Sequence, residues 1–237
     1  MKLLAFLLIF TLSAAQATVV LVDPGHGGEE MGAVAKLNGK KIFEKNLSLR
    51  LSTKIRELLS KKTSTFLTRS LDRTVGLQER ADLADLVKAD LFLSIHFNSS
   101  SNPRFNGFEL YYLDNKSNAA TQKVEKYENI TLKGEELIIN QILVDLVIQQ
   151  TVSHSKKLSH DVHSSVAPVL KKYKIVDRGV KPGLFYVLAL SKRPGLLIEV
   201  GFMSNARELK KMNDEKFLDE MAQAISDGVF QYIKSKK

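Results

Sequence analysis

The chain has 237 residues, of which 44% are hydrophobic and 26% are charged, a balance typical of one globular domain with a substantial core. It contains no cysteine, which excludes disulfides and thiolate metal sites, so any metal must be held by histidine, aspartate or glutamate. The formal charge of +9 fits retention by anionic polymers, and it fits a solvated basic surface equally well.

The first 17 residues have the pattern of a secretory signal peptide. Lys2 precedes an apolar run over residues 3–12, and alanines at 15 and 17 supply the small residues of a cleavage site. The alternative is a buried N-terminal helix. The apolar run is too short to span a membrane, and no later stretch is long enough. We therefore expect residues 1–17 to be removed and residues 18–237 to form one secreted domain.

Strands and helices alternate along the rest of the chain. In chain order, the pattern predicts a strand at 18–22, a helix at about 46–61 capped by Asn46, a strand at 63–68, a helix at 77–87, strands at 91–95 and 108–113, a helix at about 137–162, strands at 184–188 and 196–200, and a helix at 217–233. This order predicts a single α/β domain with a mixed, mostly parallel twisted sheet and helices on both faces. The pattern becomes polar between 114 and 136, which predicts a helical insertion at about 114–165.

Two histidines follow predicted strands directly. His26 lies in Asp-Pro-Gly-His-Gly-Gly after the first strand, and His96 lies in Ser-Ile-His-Phe-Asn after a central one. The carboxyl ends of strands form the ligand crevice of open α/β sheets, and neutral imidazole is a favoured zinc ligand. For either histidine alone, a structural role is as good an explanation as metal binding. Two histidines at equivalent strand ends are better explained as metal ligands.

Two glutamates are candidates for the same site. Glu44 precedes the predicted helix and is the best third ligand, although a carboxylate at a helix start is also common. Glu199 lies inside an apolar strand, where a charge is costly unless it is paired or lies near a metal. That position suits a general base, and the alternative is a buried salt bridge.

Other polar residues are weaker candidates. His154, His160 and His163 lie on a polar helical stretch, which is more typical of a solvated face than of a second metal site. Asn98 and Arg178 are candidate substrate-binding residues. Arg178, together with the neighbouring Lys181, could contact carboxylates, but an ordinary charged turn explains both equally well.

Four motifs in this order resemble the zinc-dependent N-acetylmuramoyl-L-alanine amidases, peptidoglycan amidases of the cell-division type. They are the segments around His26 and His96, Glu44 before its helix, and Ile-Glu-Val-Gly-Phe-Met-Ser-Asn around Glu199. The stretch 68–72, with Leu77 and Arg80, is also similar to the family, so the resemblance covers nearly the whole mature chain. It implies that His26, Glu44 and His96 bind one zinc ion and that Glu199 is catalytic.

The resemblance also implies the reaction. The expected enzyme hydrolyses the amide between N-acetylmuramic acid and L-alanine of peptidoglycan, for wall remodelling or daughter-cell separation, in the periplasm or cell envelope. Zinc activates water and carbonyl, and Glu199 moves the proton to the leaving nitrogen. We expect no nucleic-acid partner. A zinc peptidase lacks support because no His-Glu-x-x-His helix is present. A sugar deacetylase and a non-catalytic wall-binding module are the remaining alternatives, and the full set of candidate residues argues against the second.

The polar segment at about 115–136 is expected to control access to the metal. It is longer than most connections in a compact domain, and it carries Glu125, Glu128, Glu135 and Glu136. Glu125 and Glu128 are three apart, so one helix face could present both. In cell-division amidases of this family, a regulatory helix blocks the site until an activator protein displaces it. The docking face would include Leu137, Ile138, Ile142, Leu143 and Leu146. A surface insertion whose helix packs in the core is the equal alternative.

Overall fold

The computed structural model describes residues 17–116, 118–128 and 135–236, and within these ranges the side chains of 120, 126, 127 and 135–140 are left out. Residues 1–16, which hold nearly all of the expected signal peptide, lie outside the described part. Among the helices of the described residues, none is both long and apolar enough to cross a membrane.

A six-stranded sheet forms the centre of the domain. From one edge to the other its strands are β4 (Ser64–Leu67), β1 (Val19–Pro24), β5 (Leu91–Asn98), β8 (Gly195–Phe202), β6 (Phe108–Leu113) and β7 (Asp177–Gly183). The first four run parallel, β6 is antiparallel to β8, and β7 is parallel to β6. The expected mixed, mostly parallel sheet is confirmed.

Helices cover both faces of the sheet, as expected. The helices are α1 (Glu44–Leu59), α2 (Leu77–Leu86), α3 (Ala119–Glu128), α4 (Glu135–Tyr173), α5 (Tyr186–Ser191), α6 (Ala206–Met212) and α7 (Glu215–Ser235). Val20 and Val22 pack with α1, α4 and α7, whereas Leu21 between them packs with α2 and α5. Successive side chains of a strand point to opposite faces, so both faces must be covered. This explains why every residue of β5 and β8 is buried.

The start of α1 differs from the sequence prediction. Asn46 does not cap the helix, because α1 already begins at Glu44, with Phe43 in the capping position and no side-chain cap bond. A short antiparallel hairpin, β2 (Val34–Leu37) and β3 (Lys40–Phe43), leads directly into it. The hairpin turn is Asn38-Gly39, with φ of 51° and 78°, the sequence that favours two-residue hairpin turns.

The prediction of a strand at 184–188 is wrong. Leu188 lies in α5, and the strand of this region is β7, which already ends at Gly183. A short apolar run fits a buried helix as well as a strand, so periodicity alone could not separate them. The sequence of β7 contains glycine and proline, which are tolerated because β7 is an edge strand.

The region of the expected insertion contains α3 and most of α4. Helix α4 runs to Tyr173, beyond the predicted end at 162. Its later turns place Leu158, Val162 and Leu170 in the core beside α7. Only its earlier part therefore carries exposed apolar side chains, namely Ile142, Leu143 and Leu146.

Candidate active site

Four side chains converge at the carboxyl ends of β1 and β5. They are His26, Glu44, His96 and Glu128, and one potential ligand atom from each lies within 4.8 Å of the others. Glu44 bridges the histidines, since its Oε2 lies 3.2 Å from Nε2 of His26 and its Oε1 lies 3.1 Å from Nδ1 of His96. The two imidazole rings meet edge to face, with centroids 4.9 Å apart. The structure thus brings together the three residues expected as metal ligands.

A buried polar network fixes the loop that carries His26. His26 itself has φ of 58°, a conformation uncommon for a residue with a side chain and frequent at functional sites. Nη2 of Arg80 donates to the His26 carbonyl at 3.0 Å, and Arg80 forms an ion pair with buried Asp23. Nη2 of Arg69 donates to the Gly25 carbonyl at 2.8 Å. A Cβ on Gly25 would lie 2.4 Å from the His96 ring, so only glycine lets the loop approach.

Glu44 is held by main-chain groups as well as by the histidines. Its Oε2 accepts from Ala33 N at 2.7 Å and its Oε1 accepts from Phe97 N at 2.9 Å. Burial opposes ionisation of Glu44, but the charges and hydrogen bonds of His26 and His96 hold its pKa below the usual value. Burial likewise disfavours a charged His26, yet the Glu44 carboxylate raises the pKa of His26 to about 9. The ionised Glu44 carboxylate therefore favours a positive charge beside it, either on His26 or on a bound cation.

Glu199 lies on the strand beside His96. The two residues are paired in the register of β5 and β8, and Glu199 is 1% exposed. Its Oε2 is buried without a hydrogen-bond partner. Burial, followed by the negative charges of Glu128, Glu44 and Glu109, raises the pKa of Glu199 well above its usual value. Such a carboxyl group is suited to accept and return a proton near neutral pH.

The donor set fits a zinc ion. Two imidazole nitrogens and one carboxylate are a common protein ligand set of catalytic zinc, which keeps a further position for water or substrate. Nε2 of His26 is buried and, although 3.2 Å from the Glu44 carboxylate, has no partner with hydrogen-bond geometry, an arrangement that a metal bond would satisfy. Within the described part of the chain, no second group of three or more such ligands has comparable geometry. His154 and His160 are exposed, and His163 instead pairs with Asp177 at 2.9 Å.

The two glutamates of α3 have different positions. Oε2 of Glu128 lies 3.1 Å from Nδ1 of His96 and 4.0 Å from Nε2 of His26. Oε1 of Glu125 instead accepts from the main-chain N–H of Leu184 at 2.7 Å, at the end of β7. Burial raises the pKa of Glu128. Helix α3 therefore places the Glu128 carboxylate beside His26 and His96, and the Glu125 carboxylate anchors the helix to the end of β7.

The site opens into a cavity of about 530 Å³ that His26, Glu44, Phe97, Asn98 and Glu128 line, with Ser99, Ser100, Ser101 and Val124 beside them. Asn98 donates from Nδ2 to Glu109 at 3.2 Å. Arg178, the other expected substrate-binding residue, lines a neighbouring cavity instead. Glu109 was missed in the sequence, although it interrupts an apolar strand just as Glu199 does.

Comparison with known proteins assigns the family. Residues 20–231 match the family model described as N-acetylmuramoyl-L-alanine amidase. The chain is 31% identical to the amidase AmiA of Escherichia coli over 91% of this chain and 76% of that protein. It is 32% identical to the amidase LytC of Bacillus subtilis, with 91% of this chain covered but only 35% of LytC.

Solved structures give the same assignment. An N-acetylmuramoyl-L-alanine amidase from Clostridium difficile 630 superposes with a TM-score of 0.71 at 30% identity, covering 94% of this chain and all of that one. The CwlD amidase of Clostridioides difficile, solved in complex with the GerS lipoprotein, has a TM-score of 0.70 at 26% identity, covering 92% of this chain and 99% of its own. The chain belongs to the N-acetylmuramoyl-L-alanine amidase family, the hydrolases that cut the amide bond between N-acetylmuramic acid and L-alanine in peptidoglycan.

Proposed function

We propose that this amidase works with one Zn²⁺ held by His26, Glu44 and His96, and that Glu199 is its catalytic carboxylate. The observation that carries the proposal is the convergence of the three ligand side chains within 4.8 Å, with a buried ring nitrogen of His26 that lacks a hydrogen-bond partner. When bound, zinc supplies a Lewis acid that polarises the scissile carbonyl and activates water.

Glu199 moves the proton in this proposal. Its carboxylate takes a proton from the attacking water as the oxygen–carbon bond forms at the lactyl carbonyl. The same proton then passes to the alanine nitrogen as the carbon–nitrogen bond breaks, which leaves a muramic acid carboxylate and a free amine. The raised pKa of Glu199 supports this role because the group must hold the proton between the two steps.

Glu128 gives the enzyme a closed resting state. Its carboxylate lies beside the His96 and His26 ring nitrogens, in the space that water and the substrate carbonyl must enter. Substrate can reach the cluster only when this carboxylate leaves the histidines, and the Glu125–Leu184 hydrogen bond holds α3 in the position that keeps it there. We therefore propose that Glu128 inhibits the resting enzyme and that Glu125 stabilises the inhibited position.

A protein activator is the proposed means of release. Ile142, Leu143 and Leu146 are 61%, 46% and 49% exposed on the earlier part of α4, close in sequence to α3. Clustered exposed apolar side chains favour a protein contact. Leu137 and Ile138, also expected on this face, fall outside the described side chains. The CwlD amidase was solved with a protein partner, which supports a partner for this chain.

We also propose export to the cell envelope, with residues 1–17 removed. The signal-like sequence and the peptidoglycan substrate of the family support this location. N-terminal sequencing of protein from fractionated cells should begin at Thr18, and a protein that keeps Met1 in the cytosol would contradict export.

Digestion of purified sacculi tests the proposed function. The zinc-loaded chain should release free stem peptides and leave intact lactyl-muramic acid, which mass spectrometry identifies. Chelation should stop the release and zinc should restore it. Release of acetate, or of peptides cut within the stem, would contradict the proposed chemistry.

A further inference from the structure

A second cavity of about 480 Å³ lies beside the catalytic one. The two share a wall formed by Asn98 to Ser101 and by Val124 of α3. Phe105, Phe202 and Arg178 line its far side. One substrate molecule could therefore occupy the catalytic cavity and this second cavity at the same time.

Arg178 lies against two neighbouring aromatic rings in this cavity. Its guanidinium carbon lies 5.3 Å from the centroid of the Phe105 ring and 5.5 Å from that of Phe202. Its Nε donates to the Asn106 carbonyl. Gly107 has φ of 121°, and a Cβ there would lie 2.9 Å from the Arg178 side chain, so glycine makes room for it. These contacts hold the Arg178 side chain in place along the cavity wall.

Buried Glu208 joins the two segments that carry the aromatic rings. Its carboxylate accepts from Gly107 N at 2.8 Å and from Phe202 N at 2.8 Å. The loop containing Phe105 is thus tied to the end of β8, and the two rings lie 6.2 Å apart. The aromatic pair against which Arg178 packs is therefore held in place by the fold.

The surroundings of the cavity carry an excess of positive charge. Lys181 donates to Oε1 of Glu109 at 2.6 Å and largely neutralises that carboxylate, which lies 3.9 Å from Nη1 of Arg178. Lys123 on α3 adds another cation to the lining. Among the residues that line the cavity, Lys123 and Arg178 are cations and Glu109 is the carboxylate. An anion is the ligand that this arrangement favours.

We propose that this cavity binds a carboxylate of the stem peptide and that Arg178 is a specificity-determining residue. The inference rests on the proposed function and names the part of the substrate that binds beside the cleaved bond. The N-acetylated sugars carry no charge once the lactyl carboxyl group is in the amide, so a cationic cavity selects the peptide side. A planar guanidinium can form two parallel hydrogen bonds to a carboxylate.

A matched pair of soluble glycan–peptide fragments tests the proposal. One carries free stem-peptide carboxylates and the other has them amidated, and kcat/KM is measured for both. All measurements start from the zinc-loaded Glu128→Ala variant, called the parent, which lacks the contact between Glu128 and His96. It should prefer the acid by about 10- to 100-fold, the range for a charge-assisted hydrogen bond. Arg178→Gln should lose this preference through a higher KM for the acid alone.

Two further variants separate recognition from damage to the fold. Arg178→Lys keeps the charge without the fork and should retain part of the preference. Arg56→Gln, an exposed change on α1, should retain all of it. Equal rates for acid and amide in the parent, no cleavage of either, or an equal fall for both in Arg178→Gln would overturn the proposal. Digestion of sacculi by the parent tests the proposed function separately, because that activity does not depend on the acid preference.

Discussion

Replacing Glu128 by alanine should raise the basal rate of stem-peptide release from sacculi. The Glu128 carboxylate is 13% exposed and lies 3.1 Å from Nδ1 of His96, a proposed zinc ligand, so the change removes a largely desolvated carboxylate and its charge-assisted contact with the cationic centre. Such contacts stabilise by about 1.5–3 kcal/mol. Burial of the carboxylate opposes this gain, as its raised pKa indicates, so the lower part of the range applies. At about 1.4 kcal/mol per factor of ten, the open population should rise about tenfold.

The hydrogen bond between Glu125 and Leu184 limits how far the basal rate rises in Glu128→Ala. Glu125 still accepts from Leu184 N in the variant, and one such bond is worth about 1 kcal/mol. The double variant Glu125→Ala/Glu128→Ala should therefore exceed Glu128→Ala by about fivefold, whereas Glu125→Ala alone should give a smaller rise. Glu57→Ala, an exposed change on α1, is the matched control.

Release is followed by mass spectrometry at equal zinc occupancy, with unfolding curves to verify the fold. The reasoning is refuted if correctly folded Glu128→Ala releases peptide at the same rate as wild type without a partner. It is also refuted if Glu57→Ala raises the rate equally, because the contact at His96 would then have no special effect.

Three further outcomes follow from the site and its supports. His26→Ala and His96→Ala should each lose zinc by elemental analysis, and full occupancy in either would contradict the ligand assignment. Glu199→Gln should keep zinc yet lose about 10²–10⁴-fold in turnover, and wild-type release would contradict its role. Asp23→Asn should destabilise the fold by about 3–5 kcal/mol, because it leaves the buried Arg80 charge unpaired. Burial opposes ionisation of Asp23, but Arg80 lowers its pKa overall, so its stabilising effect is present above about pH 4 and is lost as pH falls through the lowered value. Urea unfolding at pH 6 and pH 3 should show a smaller pH effect in Asp23→Asn.

The sheet and the main helices were predictable because their periodicities are strong. The strand at Phe108–Leu113 has the predicted bounds, and α2 differs from its prediction by one residue. Predictions failed where tertiary pairing overrides local preference. The glycine- and proline-containing β7 is a strand only because it pairs with β6. Helix α1 begins at Glu44 because the β2–β3 hairpin ends at Phe43, directly before it.

The candidate site was predictable in composition but not in arrangement. Motif order alone named His26, Glu44, His96 and Glu199, and the structure brings the first three together. Sequence spacing suggested that Glu125 and Glu128 act on one helix face, but it could not show that only Glu128 reaches the histidines. That difference depends on how α3 lies across the sheet edge, which no local pattern determines.

Helix α3 lines both cavities. Val124 lines both of them, Glu128 lines the catalytic cavity, and Lys123 lines the one that contains Arg178. A movement of α3 that withdraws Glu128 therefore also shifts Lys123 and Val124 on one side of the proposed peptide subsite, whereas Arg178 lies on β7. A movement of α3 should consequently change substrate binding as well as access to the cluster of His26, Glu44 and His96. If so, Glu128→Ala will alter KM and kcat together, whereas a change in kcat alone would mean that the carboxylate can leave the histidines while α3 stays in place.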